Sequence, residues 1–265
     1  MKWCNWMSWI VLTFLLLGSC GAKSDDMVVE SLELTPSEYT LDELLDRHVE
    51  AMGGAEALGS VENLVKMGTM STPEFDNAPV TTVIDDGKGY LRHVQRPNGD
   101  IYLAWDGSVA WQKAALMDDE GGESPTGVTE LDETSRTLYS VLSQVSGPLV
   151  EGRTRGYKMG MEGTTSSGEE VITLSIPGLE DRNYFLDGET FLVVKVVEMR
   201  PPLDEGGGEL RVVTRYARYQ DVSGIQVPMF ETTAIQELDF SQSITWDTIE
   251  ANQDLSEFDF SKPES

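Results

Sequence analysis

The chain has 265 residues, room for one large or two small domains, and no middle stretch has a linker composition long enough to divide it. It carries 46 acidic against 19 basic residues, a net charge of −27 and a pI of about 4.2. That balance excludes nucleic acid as a partner and adhesion to anionic lipid through a basic patch, because both need clustered Lys and Arg.

The N-terminus speaks for compartment. Lys2 is the sole charged side chain ahead of an apolar run over 7–17. The run is the size of a signal-peptide core and short of the ~20 residues that span a bilayer. It ends in Leu17-Gly18-Ser19-Cys20, a quartet that resembles the lipobox of bacterial lipoproteins. The expectation is a lipoprotein signal peptide over 1–19 and lipidation of Cys20. The other cysteine, Cys4, lies inside that signal, so the exported chain has no disulfide framework. Acyl chains contribute about 0.8 kcal/mol per buried CH₂, and two or more anchor stably. Residues 20–36 are polar and acidic and read as a flexible tether, with 37–265 as a single domain.

A helix is expected over 41–52. Thr40 and Glu43 have capping-box spacing, and Leu41, Leu44, Leu45, His48 and Met52 recur on one helical stripe. Gly53-Gly54 stops it, and a short helical piece over 55–58 follows. Strand-like runs come next at 64–70, 80–85, 89–95, 100–105 and 108–112, with Asp86-Gly87, Asn98-Gly99 and Asp106-Gly107 at three of the joints. After an acidic Gly/Ser/Pro loop over 118–130, a second amphipathic helix is expected at about 132–145, ended by Gly147-Pro148. Seven more strands are read at 157–164, 170–176, 182–186, 192–200, 209–220, 229–238 and 243–249. Asp187-Gly188 and Ser223-Gly224 mark hairpins among them. The fold class is mainly β (α+β): a large antiparallel meander of about 11–12 strands with 2–3 helices and no internal repeat.

Many strands carry bulk on both faces, unlike a half-solvated sheet. Leu103 and Trp105 oppose Tyr102 and Ala104; Leu192, Val194 and Val196 oppose Val193, Val197 and Met199; Met229 and Ile235 oppose Phe230 and Ala234. A sheet of so many strands is expected to curl. Capped by apolar helix faces, it encloses a pocket or a core, and alternation alone leaves open which face is concave.

Five stretches, in this order, carry a family resemblance: LDELLDRHVEAMGGAEALGSVENL at 41–64, WDGSVAW at 105–111, GPLV at 147–150, YFLDGETFLVVKV at 184–196 and YQDVSGIQVPMFE at 219–231. Together they resemble the LolA/LolB-like superfamily of periplasmic lipoprotein and lipid carriers, and within it the outer-membrane lipoprotein-sorting proteins. The resemblance implies a half-barrel whose helices lid an apolar concavity that receives acyl chains. The lid would comprise the N-terminal helix, the loop 118–130 and the helix 132–145, with Leu41, Leu44, Leu45, Leu138 and Leu142 as its candidate apolar contacts. Cavity-lining candidates are Tyr90, Leu103, Trp105, Trp111, Val194, Val196, Leu210, Val212, Tyr216, Phe230 and Trp246, each of which could equally be ordinary core. The lipobox makes the chain similar to the lipidated, LolB-type members. Gly21 after the cysteine, where such lipoproteins use Asp for inner-membrane retention, implies the outer membrane facing the periplasm.

Catalytic options are few. His48 falls near the apolar stripe and His93 on a strand, and both read as structural. No GxSxG, HExxH or GK[ST] occurs, so neither a metal nor a cofactor is expected. Asp118-Asp119-Glu120 and Asp204-Glu205 lack the alternating acids of a calcium loop. Arg153, Arg155, Arg211, Arg215 and Arg218 stand out in so acidic a chain; they read as surface ion-pair partners worth ~0–1 kcal/mol each. Arg211 and Arg215, on one strand face, could instead hold an anionic head group at a pocket mouth. The expected function is non-enzymatic: an envelope lipoprotein that binds acyl chains of lipids or lipoproteins, anchored to membrane by its lipid and able to engage an envelope protein partner. It predicts a dry apolar cavity of ~300–1,000 Å³. The alternative is a sensor or interaction module of the same fold, similar to a periplasmic stress regulator, with an exposed apolar patch on its convex face. An enzyme acting on a lipid-like substrate would need convergent titratable groups in the cavity.

Overall fold

The computed structural model describes residues 33–114, 116–117, 123–124, 127–202 and 208–263. The signal segment 1–19, Cys20, most of the tether and the acidic stretches 118–120 and 204–205 lie outside the described residues.

Two helices come first, α1 (Leu41–Ala51) and α2 (Gly54–Ser60). The capping box forms as its spacing implied: the Thr40 amide donates to Glu43 Oε2 at 2.9 Å and the Glu43 amide to Thr40 Oγ1 at 3.3 Å. A meander follows: β1 (Asn63–Thr72), β2 (Phe75–Asp85), β3 (Gly89–Arg96), β4 (Gly99–Trp105) and β5 (Ala110–Ala114). β6 (Leu116–Met117) and β7 (Glu123–Ser124) form a separate two-stranded ribbon, and β8 (Thr129–Glu130) returns to pair with β5. Helix α3 (Glu133–Leu142) is capped by Asp132, whose Oδ1 accepts from the Ser135 amide at 2.8 Å. The expected terminator Gly147-Pro148 instead starts another helix, α4 (Pro148–Arg155). Proline suits the first helical position, where its missing N–H would find no partner and its fixed φ is already helical. Then come β9 (Lys158–Thr164), β10 (Glu170–Ser175), β11 (Arg182–Leu186), β12 (Val193–Arg200), β13 (Leu210–Val222), β14 (Ile225–Ile235) and β15 (Phe240–Ala251).

Thirteen strands make one open antiparallel sheet in the order β8-β5-β4-β3-β2-β1-β15-β14-β13-β12-β11-β10-β9. The two halves of the meander meet at β1 and β15, with Leu64 opposite Ala251 and Met70 opposite Ile244. Turn chemistry sets the hairpins: Ser223 (φ 54) and Gly224 (φ 89) are both left-handed, as a tight turn between β13 and β14 demands.

The helices cover one face. Leu44, Leu45, Val141 and Leu149 pack on Ile172, Leu174, Tyr184 and Leu186; Leu58 packs on Leu64, Ile225 and Val227; Tyr139 packs on Tyr90, Trp105 and Ala110. The opposite face is covered too, by the C-terminal segment. Leu255, Phe258 and Phe260 lie over Val65, Val83, Leu91, Ala104 and Trp111, and Trp111 Nε1 donates to the Phe260 carbonyl at 2.8 Å. That segment accounts for the bulk on the outer side of β1 to β5. Arg92 on β3 and Arg182 on β11 line one cavity although seven strand spacings separate them. In a flat sheet those spacings would hold them about 34 Å apart. The helix-covered face is therefore concave.

Candidate functional site

A cavity of about 410 Å³ lies between the helices and the concave face. Its helical wall carries Met52, just past the end of α1, and Leu138, Val141 and Leu142 from α3, with His48, Gln144 and Ser146 as its polar members. Leu142 is 39% exposed. Val193, Val196 and Val212 continue the apolar surface onto the sheet.

The sequence candidates divide into three groups. Val196, Val212, Tyr216, Leu138 and Leu142 line the cavity. Tyr90, Leu103, Trp105, Leu210 and Trp246 share the concave face but pack into clusters beside it, and Leu41, Leu44 and Leu45 belong to the core under α1. Trp111, Val194 and Phe230 are corrections, because all three lie on the outer face. Trp111 pairs opposite Ala104 on that side and lies beneath the C-terminal segment. Val194 is the extra residue of a β-bulge: Phe185 opposes Lys195, but Leu186 opposes Val193. The bulge turns Val193 inward and leaves Val194 outside with Val171 and Phe185. Phe230 alternates with Met229 and Glu231, whose side chains face inward. Arg218 adopts φ 58 and swings out over the Phe230 ring, while the next residue, Tyr219, turns into the cavity and donates to the Val193 carbonyl at 2.6 Å.

The floor of the cavity is charged, which sequence reasoning missed. Arg92, Arg182, Arg200, Glu198 and Glu231 all line it. Glu198 is held between two guanidinium groups: Arg182 Nε donates to Oε2 at 2.7 Å, and Arg200 binds Oε1. Glu231 accepts from Lys66 Nζ at 2.9 Å and from Trp246 Nε1 at 2.7 Å. Burial pushes the Glu231 carboxyl upward, but Lys66 and Arg92 outweigh it and hold the group below its ordinary value, so it stays ionised. Arg92 donates through Nε to Thr82 Oγ1 at 3.0 Å and, among the described residues, has no carboxylate partner of its own. Burial alone would lower its pKa; the neighbouring Tyr90 and Glu231 reverse that, and it stays charged. Burial likewise raises Tyr184 and Tyr216, which keep their hydroxyl protons. Gln144, also in the wall, buries Oε1 with no hydrogen-bond partner among the described residues. The signal for this floor was present in the sequence: Arg92 falls between Tyr90 and Val94, and Glu231 between Met229 and Thr233, each a charge at an inward position.

The other arginines lie elsewhere. Arg211 and Arg215, opposite Met199 and Lys195, are on the outer face and so cannot hold a head group at this cavity's mouth. Arg153 ties α4 to α1 through Asp46 (2.7 Å) and Asp42 (3.0 Å), and Arg155 pairs with Glu151. His48 lines the cavity at 3% exposure, its Nδ1 donating to the Phe191 carbonyl at 2.9 Å. Burial holds its pKa below the ordinary value, so the ring is neutral at pH 7. His93 is on the outer face, stacked on Tyr102 with its Nε2 at 2.9 Å from Asp100 Oδ2. Among the described residues, no three His, Cys, Asp or Glu gather as a metal site, and no helix is long and apolar enough to cross a membrane.

The architecture recurs in solved structures. A LolA superfamily protein from Nitrosomonas europaea aligns over 84% of this chain and 98% of its own, with a TM-score of 0.54 at 12% identity. A DUF1329 family protein from Desulfovibrio piger aligns over 83% and 97%, with a TM-score of 0.54 at 12% identity. No protein-family profile and no curated protein matches the chain. At such identities the likeness is one of fold, and the fold is LolA-like.

Proposed function

We propose that this chain is an envelope lipoprotein whose half-barrel binds acyl chains of lipids or lipoproteins, without catalysis. The observation that carries the reading is the cavity. Its ~410 Å³ falls within the usual ligand-pocket range, and its helical wall of Met52, Leu138, Val141 and Leu142 offers a hydrocarbon chain an apolar bed. The LolA-like fold supports a carrier role, since the similar Nitrosomonas protein is named for that superfamily. The lipobox-like Leu17-Gly18-Ser19-Cys20 supports anchoring in the envelope, and Gly21 the outer membrane. His48 lines the cavity with the Phe191 carbonyl as its hydrogen-bond partner, and His93 lies on the outer face beside Asp100.

The test is native mass spectrometry with lipid extraction, on the chain starting at Gly21 and expressed in a bacterial periplasm. A stoichiometric co-purifying lipid or acylated peptide is expected. A clean apo mass, with no uptake of added lipid, would sink the carrier reading and favour the interaction module.

A further inference from the structure

In a chain of net charge −27, the cavity floor runs the other way. Among the described residues, Arg92, Arg182 and Arg200 line it with Glu198 and Glu231 as its only carboxylates, and Lys66, outside the lining, pairs with Glu231. The two carboxylates are spoken for: Glu198 by two arginines, Glu231 by Lys66 and Trp246. Each of the two acidic centres therefore leaves one cation in excess. One is Arg92, which donates to the Thr82 hydroxyl and, among the described residues, has no carboxylate in direct contact. The other is shared by Arg182 and Arg200 across Glu198. Arg200 is the more open of that pair, its side chain 29% exposed against 11% for Arg182. Arg92 is half-buried and faces the cavity, where the anion of a ligand could pair with it directly. The buried hydroxyls of Tyr184 and Tyr216, both protonated, add donors to the same floor. The opposite wall, from α3, is apolar.

We infer that the cavity takes an anionic amphiphile, its carboxylate or phosphate head on Arg92 and Arg200 and its hydrocarbon chain against Leu138, Val141 and Leu142. This rests on the acyl-binding reading and adds the head group to it. Arginine suits the task, since its planar fork matches a carboxylate or a phosphate with two parallel hydrogen bonds. The site is on the concave face, away from Arg211 and Arg215, which the sequence offered for the same chemistry.

The full chain, held in phosphatidylcholine nanodiscs, is tested by equilibrium dialysis against three eight-carbon amphiphiles: octyl phosphate, octanoate and neutral octanoyl glycerol. Binding to empty nanodiscs is subtracted. At least one anion is expected to bind tenfold or more tighter than octanoyl glycerol, and the order of the two names the head group. Arg92→Gln brings the anions down to the level of the neutral ligand, which it leaves unchanged; Arg92→Lys, which keeps the charge, stays within about threefold of the native chain. Arg200→Gln provides the same reading at a more exposed position should Arg92→Gln fail to fold. Arg211→Gln, on the outer face, changes nothing. Equal binding of neutral and anionic ligands overturns the head-group inference and leaves the acyl reading standing. Absence of binding by all three overturns both.

Discussion

At the level of single residues, the concave face encloses several charges and pairs the most enclosed of them. Lys66, Glu231, Arg182 and Glu198 are all nearly enclosed, with side-chain exposures of 9, 17, 11 and 9%. Removing one partner of such a pair strands the other, which costs several-fold more than losing a surface bridge. His48 is the buried group with a pH signature. An unfolded histidine titrates near 6.5, and burial depresses the native value. Below about pH 6.5 the unfolded chain therefore binds a proton that the native chain refuses, and stability falls as pH drops. Between pH 7 and 5.5, most exposed carboxylates keep their charge, so this window isolates the effect. The native chain is expected to lose more thermal midpoint across that window than His48→Gln, and equal losses would remove His48 as the cause. Tyr219 and Val194 show how one residue's backbone changes its neighbours' sides: a left-handed Arg218 and a bulge each break alternation locally.

Elements are joined by a few close approaches. The junction of α1 and α2 docks on the β13–β14 turn, where the Gln226 amide donates to the Met52 carbonyl at 3.0 Å. Gly53 makes that docking possible. Its φ is 116, and a Cβ there would fall 2.0 Å from the Gly224 carbonyl oxygen. Gly53→Ala is expected to cost ~2–4 kcal/mol, from backbone strain and the displaced turn together. Urea unfolding reads the loss; a variant within about 0.5 kcal/mol of the native chain would mean that the junction is not rigid. The capping box of α1 and the glycine turns were legible in sequence because both are local chemistry. Helix α4 was not, because Gly-Pro marks either an end or a beginning, and the packing of Leu149 into the core under α1 selects the beginning.

The whole molecule combines a sheet wrapped around helices on one side and a C-terminal segment on the other with a strongly acidic surface. The far acidic surplus means that like charges repel across the folded surface while the paired interior is shielded from salt. Raising NaCl from about 20 to 200 mM is therefore expected to raise the thermal midpoint by a few degrees, as screening relieves self-repulsion more than it weakens buried pairs. A falling midpoint would show that exposed bridges such as Arg153 to Asp42 and Asp46 outweigh the repulsion. The C-terminal segment is the feature that sequence patterning concealed. Leu255, Phe258 and Phe260 stand amid Asp, Glu and Ser, and only their docking on Trp111 and Leu91 makes them core.

Sequence alone determined the class of fold: turn pairs at regular spacing, strands bulky on both faces and a capped amphipathic helix sufficed for a curled antiparallel sheet under helices. Those signals act over a few residues, so they survive without knowledge of the rest. Tertiary structure alone decided which face became the cavity and what charge it carries. A bulge at Val194, a left-handed Arg218 and the meeting of β1 with β15 set each side chain's side. Only curvature brings Arg92 and Arg182, 90 positions apart in the chain, to one floor.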